Sequence, residues 1–142
     1  MSRWGRFEVA LTSDQEWENP LQEAELAGVF VSPSGQQVAV DGFWDGGRTW
    51  RLRFSPDEEG EWRFRARLSD GVEQEGQFVC GPAEGETPFQ RHGHVRVHEG
   101  RKRLEHAAGT PFFWLVDTAW NGPLRSDEAA WQWYAEQRVR QG

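Results

Sequence analysis

The chain of 142 residues contains one cysteine, one methionine and one tyrosine, and it has no long apolar run. Without a second thiol, Cys80 has no disulfide partner within the chain, and it is not part of a CxxC pair of the kind that binds zinc. It reads as a small buried apolar group at a strand end. Met1 to Thr12 lacks the continuous apolar stretch of a secretory leader, and no segment is long enough to cross a bilayer as a helix. As written, the sequence is expected to be cytoplasmic with no membrane partner; a leader upstream of the assigned start would make it secreted instead. Positive charge is also scarce, since 16 Lys and Arg against 23 Asp and Glu leave a formal charge of -7. That balance favours solubility and argues against a nucleic-acid partner, whose phosphates need a basic face.

Tryptophan is plentiful: nine Trp and nine Phe bring the aromatic content to 13%. Such rings serve either a core or a ligand surface. The length suffices for one domain with an extension and a real core, without help from disulfides or metal. Apolar residues recur at every second position between turn signals, the pattern of strands with one buried face. Strands are predicted at Arg6–Leu11, Ala24–Phe30, Gln37–Phe43, Thr49–Phe54, Glu61–Leu68 and Glu75–Cys80. The intervening Asn19-Pro20, Ser32–Gly35, Asp45–Gly47, Pro56–Gly60 and Asp70-Gly71 are turn formers. In Thr49–Phe54, Trp50, Leu52 and Phe54 face inward against Arg51 and Arg53. In Glu61–Leu68, Trp62, Phe64, Ala66 and Leu68 face inward against Arg63, Arg65 and Arg67.

Six short strands at such spacing predict a mainly β fold, an immunoglobulin-like two-sheet antiparallel β-sandwich. The likeness is architectural, because the Cys and Trp spacing of true immunoglobulin domains is absent. Gly81–Pro88 is rich in breakers and reads as a linker. Gly93–Val97 and Lys102–His106, joined by Glu99-Gly100, read as a hairpin. Pro111–Val116 is then apolar at every position, as expected of a strand buried on both faces in a parallel sheet. Ser126 is placed to cap a helix with Asp127 and Glu128 in its first turn and Gly142 at its end. Trp131, Tyr134, Ala135 and Arg138 share one face of that helix, so the strand and helix together make one βα unit.

Several constellations could carry chemistry. The outward Arg51 and Arg53, with Arg63, Arg65 and Arg67 expected on a neighbouring strand, could bind an anionic sugar or phosphate; alternatively they are a solvated face paired with acidic residues. His92 and His94 form an HxH pair, but no third ligand is placed, and no metal or cofactor is assigned. Trp50 and Trp62 are expected in the core. Trp17 and Trp44, both placed in turns, are the candidates for stacking on a glycan, with packing over the end of the sandwich as the alternative. A pair of catalytic carboxylates flanking a glycosidic bond is not evident.

Three segments, Trp17-Glu18-Asn19-Pro20, GFWDGG (Gly42–Gly47) with RFSPDEEGEW (Arg53–Trp62), and GQFVC (Gly76–Cys80), resemble DUF5060, a small β-sandwich domain found in front of certain glycoside hydrolases. GTPFFWLVDTAWNGPL (Gly109–Leu124) and the helix after it resemble the opening of the apiosidase-like TIM-barrel domain, DUF4038. Trp114, Asp117, Thr118 and Trp120 keep that family's order and spacing. The resemblance implies a β-sandwich over residues 1–81, a linker and hairpin over 82–109, and over 110–142 the single βα unit of an incomplete TIM barrel. It also implies that Asp117 and Trp120 lie at the C-terminal end of the first barrel strand, where barrel enzymes build substrate pockets. Asp117 would hydrogen-bond a sugar hydroxyl and Trp120 would shape the pocket. The other reading is that Asp117 organises the loop and Trp120 packs beneath it.

The chain is therefore expected to be an accessory sandwich plus the start of a glycoside hydrolase barrel, with no catalytic residue assigned and no turnover of its own. Its expected partner is a carbohydrate of the plant polysaccharide type. Two alternatives stand beside this: a free-standing carbohydrate-binding module, and a purely structural domain that positions the barrel. An unpaired apolar strand at Pro111–Val116 would either pack on the sandwich or drive self-association.

Overall fold

The period-two segments become strands, and the turn residues set where each one stops. The computed structural model describes residues 1–141, which form two compact units, one of residues Met1–Phe112 and one from Phe113 onward. In the first unit come β1 (Phe7–Thr12), the single-turn helix α1 (Pro20–Glu23), β2 (Leu26–Val31), β3 (Gln37–Asp41), β4 (Phe43–Trp44), β5 (Thr49–Phe54), β6 (Gly60–Leu68) and β7 (Glu73–Cys80). They are followed by α2 (Pro88–His92), β8 (Val95–Val97), β9 (Leu104–His106) and β10 (Pro111–Phe112). The second unit holds α3 (Gly122–Arg125) and α4 (Glu128–Gln141). The helix end expected at Gly142 lies outside the described residues.

Two antiparallel sheets, ordered β1-β5-β4 and β3-β2-β6-β7, pack face to face as a β-sandwich. Alternate residues of each strand meet in the middle: Val9 and Leu11 of β1, Trp50 and Leu52 of β5, Leu26 and Phe30 of β2, and Trp62, Ala66 and Leu68 of β6 are all buried. Cys80 closes the core at the end of β7 as a free buried thiol, whose pKa burial pushes up. A run of aromatic rings links the sheets. Phe30 stacks on Phe54 at 4.0 Å, and Phe7 on Phe78 at 4.3 Å. Offset and edge contacts of this kind add to the burial energy of each ring. At Gly28 the sheets approach so closely that a Cβ would collide with Leu52.

The segment read as one strand, Gln37–Phe43, is two. β3 pairs with β2, and after Gly42 the chain crosses over, so that β4 pairs with β5 of the other sheet. Trp44 consequently sits on a strand opposite Trp50 rather than in a turn. The crossing is possible because residue 42 has no side chain: a Cβ there would lie 2.5 Å from Leu26 and 2.8 Å from the Arg51 carbonyl oxygen.

One end of the sandwich is closed by a polar cluster. Ser13 is fully buried, and its hydroxyl lies 2.7 Å from Asp70 Oδ2 while accepting from the Trp17 indole N–H at 3.2 Å. Asp70 also accepts the backbone N–H groups of Asp14 and Val72. Desolvation acts to raise the Asp70 pKa, but the hydrogen bonds from Ser13, Val72 and Asp14 outweigh it and hold the carboxyl below its ordinary value of 3.8. A depressed folded pKa contributes stability that is fully present above the unfolded value and is lost as pH falls through the folded one. Asp70→Asn should therefore cost about 1 kcal/mol at neutral pH. The difference between wild type and variant in urea midpoint should shrink as the pH drops below about 4. A pH-independent difference would count against the cluster.

The sheet β10-β9-β8 follows the sandwich, with α2 started by a capping box in which Thr87 and Gln90 bond reciprocally. The predicted hairpin is present as β8 and β9. Of the apolar run Pro111–Val116, only Pro111 and Phe112 are paired, antiparallel to β9. The rest is not a strand buried on both faces: Phe113, Trp114, Leu115 and Val116 are exposed. A strand exists only where a neighbour takes its N–H and C=O groups, and among the described residues these four have no such neighbour.

The cap of α4 also differs from expectation. Ser126, the C-cap of α3, turns back to donate to the carbonyl of Gly122 at the start of that helix, and Asp127 accepts the Ala130 N–H at 2.8 Å. Two adjacent residues can each cap, and the end of α3 claims the first of them.

Candidate functional site

The two candidate tryptophans of the sandwich have different surroundings. Trp17 is half-buried against the core, with its N–H committed to Ser13. Trp44 is half-buried on β4, and its N–H donates to the Gly47 carbonyl at 2.9 Å, so the Asp45–Gly47 turn fixes the plane of the indole. Trp44 also forms a wall of a cleft of about 560 Å³ at the sheet crossing, together with Leu21, Glu25, Asp41, Phe43 and Trp50. Trp50 and Trp62 are core residues, 3% and 1% exposed. Trp62 donates to the Glu58 carbonyl, whereas the buried Trp50 N–H has no acceptor among the described residues.

The five arginines do not form one face. Arg51 and Arg53 lie on β5 and Arg63, Arg65 and Arg67 on β6, and these strands belong to different sheets, so the two groups point away from opposite sides of the sandwich. Each group is matched by acids. Glu8 on β1 accepts from Arg51 and Arg53 at 2.6 and 2.7 Å, Asp45 also holds Arg51, and Glu73 holds Arg65 at 2.7 Å. The Arg53 and Arg51 hydrogen bonds lower the Glu8 pKa, and Arg65 does the same for Glu73. This is the solvated, ion-paired arrangement, and it leaves no shared anion-binding surface.

His92 and His94 do not share a strand either. His92 ends α2, and Gly93, at φ 83°, redirects the chain before His94. His106, 3% exposed, has Nδ1 2.7 Å from the Gly93 carbonyl oxygen and serves as a buried structural group. One buried acid in this region was not singled out by its pattern. Glu105 on β9 faces Arg96 across the strand pair at 3.0 Å, with Arg103 at 3.7 Å. A carboxylate so placed is neutralised by its neighbours. Trp4 was missed as well. It adopts φ 60° and packs against Gly93, a position that no local pattern reveals.

In the second unit, Asp117 lies between the apolar segment and α3, with its carboxylate about half exposed at 47%. Tyr134 donates its hydroxyl to Asp117 Oδ2 at 2.8 Å, and the Arg138 guanidinium lies 3.5 Å away. Both partners come from one face of α4, four residues apart, which is the spacing that brings helix side chains together. The hydrogen bond to Asp117 raises the Tyr134 pKa, since ionisation would set two negative charges against each other. Trp131 stacks on Tyr134 at 5.3 Å and lies against Gly122, where a Cβ would strike its ring. Trp120, by contrast, is 85% exposed and is not drawn into this cluster. Asp117, Tyr134 and Arg138 line one depression with Leu115, Val116 and Val139. An anchored, half-exposed carboxylate of this kind can accept hydrogen bonds from hydroxyl groups. The groups bonded to it are a phenol and a guanidinium, not a second acid.

Residues 1–69 match the family described as domain of unknown function DUF5060, and residues 98–142 match the apiosidase-like catalytic domain. No curated protein matches the chain. Among solved structures, a protein from Bacteroides vulgatus ATCC 8482 with a provisional glycoside hydrolase assignment is similar at 30% identity and a TM-score of 0.64. The match covers 79% of this chain and 21% of that protein, so the chain spans about a fifth of the length of its relative. The chain is thus similar to part of a protein with that provisional assignment.

Proposed function

We propose that this chain is the leading portion of a glycoside hydrolase, in which the sandwich is an accessory domain and the apolar segment and helix of the second unit become the first strand and helix of a catalytic barrel once further strands pair with that segment. The observation that carries this reading is the Asp117 carboxylate, presented after an apolar segment and oriented by Tyr134 and Arg138 of the following helix. Substrate groups in barrel enzymes stand where a strand gives way to its helix. In the whole enzyme, Asp117 accepts a hydrogen bond from a sugar hydroxyl, and Trp120 adds an apolar wall to the same pocket. The apolar side chains from Phe113 to Val116 are what further barrel strands and helices would cover; self-association is the other way to cover them.

Glycoside hydrolysis in its usual form needs two carboxyl groups flanking the scissile bond at roughly 5–9.5 Å from each other. Asp117 is bonded instead to a phenol and a guanidinium, so the chain on its own is expected to turn over no glycoside. The check is an assay of the purified chain on a panel of aryl glycosides. Turnover abolished by Asp117→Asn would show a complete site and overturn the reading.

A further inference from the structure

The cleft at the sheet crossing has the chemistry of a ligand site, and it lies entirely within the first unit. Its volume of about 560 Å³ falls in the range of small-molecule sites. Aromatic surface comes from Trp44, Phe43 and Trp50, and polar groups from Glu25 and Asp41. Gly42 lies on the floor against Leu26 and the Arg51 carbonyl, where no side chain fits. The Trp44 ring is held in place by its bond to Gly47, so its orientation is set before any ligand arrives. Trp50, 3% exposed, packs beneath the cleft, and its own indole N–H is buried with no acceptor among the described residues.

These groups select a chemical class. Ionised carboxylates only accept hydrogen bonds, so the ligand must donate to them. A hydroxyl group has a proton to donate, whereas a quaternary ammonium has none. The two acids repel anionic ligands. Trp rings stack on apolar C–H faces. We propose that this cleft, built from Trp44, Trp50, Asp41 and Glu25, binds a neutral saccharide, presenting an aromatic wall to the ring face and the carboxylates to its hydroxyls. The site stands whether or not the second unit belongs to a catalytic barrel, since none of its residues comes from there.

The test is a titration of the intact chain followed by 1H–15N NMR at the tryptophan indole resonances. The probes are methyl β-glucopyranoside, methyl β-galactopyranoside and xylobiose, with tetramethylammonium chloride as the cationic comparison. At least one neutral probe should shift the Trp44 and Trp50 indole signals saturably. Trp44→Ala should then weaken binding by about tenfold or more. Asp41 is exposed, so Asp41→Asn should keep the fold, visible in an unchanged spectrum of the core, and still weaken binding. A saturable response to tetramethylammonium alone would overturn the proposal in favour of an amine site. So would the absence of any saturable shift up to about 50 mM of each neutral probe, or unchanged affinity in folded Asp41→Asn. Turnover plays no part in these readouts, so their failure is distinguishable from failure of the catalytic reading.

Discussion

Trp62→Ala lowers the stability of the sandwich by about 3–5 kcal/mol, a large share of what a domain of this size possesses. The ring is 1% exposed, sits 5.0 Å from Phe54 across the sheets, and lies parallel to Phe78. Its indole N–H donates to the Glu58 carbonyl at 2.8 Å, tying the turn before β6 to the core. Removing the side chain therefore opens a cavity between two sheets whose strands cannot move together to fill it, and it leaves a carbonyl without its donor. Urea unfolding followed by far-UV circular dichroism measures the loss. Trp62→Phe should recover much of the packing but not the hydrogen bond, and so fall between the two. A loss below about 1 kcal/mol for the alanine variant would mean that the two sheets are not packed through this residue.

Gly42→Ala is the second large effect, and it is the reverse case, an added methyl group where the chain changes sheets. The new Cβ would lie 2.8 Å from the Arg51 carbonyl oxygen, which is backbone in the middle of β5 and cannot step aside. Overpacking of this kind costs about 1–3 kcal/mol. The strain should be relieved by displacement of β4, which carries Phe43 and Trp44. Both line the cleft at the sheet crossing with Gly42 itself. The variant is thus expected to lose stability in urea and, in its folded fraction, to show altered indole resonances for Trp44 and Trp50. Wild-type stability together with a wild-type spectrum would show that the crossing is looser than the geometry requires. Gly46 makes a control within the same turn region, since nothing lies near its Cβ position, although its φ of 103° adds backbone strain of its own.

What the sequence by itself determined was most of the sandwich strands and the side of each that is buried. Alternation has a period of two, and inward positions such as Trp50, Leu52, Trp62, Ala66 and Leu68 are marked by their own chemistry. The helix face carrying Trp131, Tyr134 and Arg138 was legible from its own period of 3.6. The motif spacing around Asp117 and the GFWDGG turn also carried the family likeness in local order alone.

Only the tertiary structure decided which strands share a sheet. Nothing local distinguishes a strand that continues from one that crosses at Gly42, because the crossing depends on the space left by Leu26 and the Arg51 backbone. For that reason the arginines of β5 and β6, alike in pattern, face opposite directions. The partner of Asp117 was likewise out of local reach, lying 17 residues away on the helix. The unpaired Trp50 N–H is the clearest instance: burial was evident from alternation, but whether a buried donor finds an acceptor depends on every neighbour around it. Packing settles such questions, since burial follows from a residue's own hydrophobicity, while pairing depends on groups brought close only by the fold.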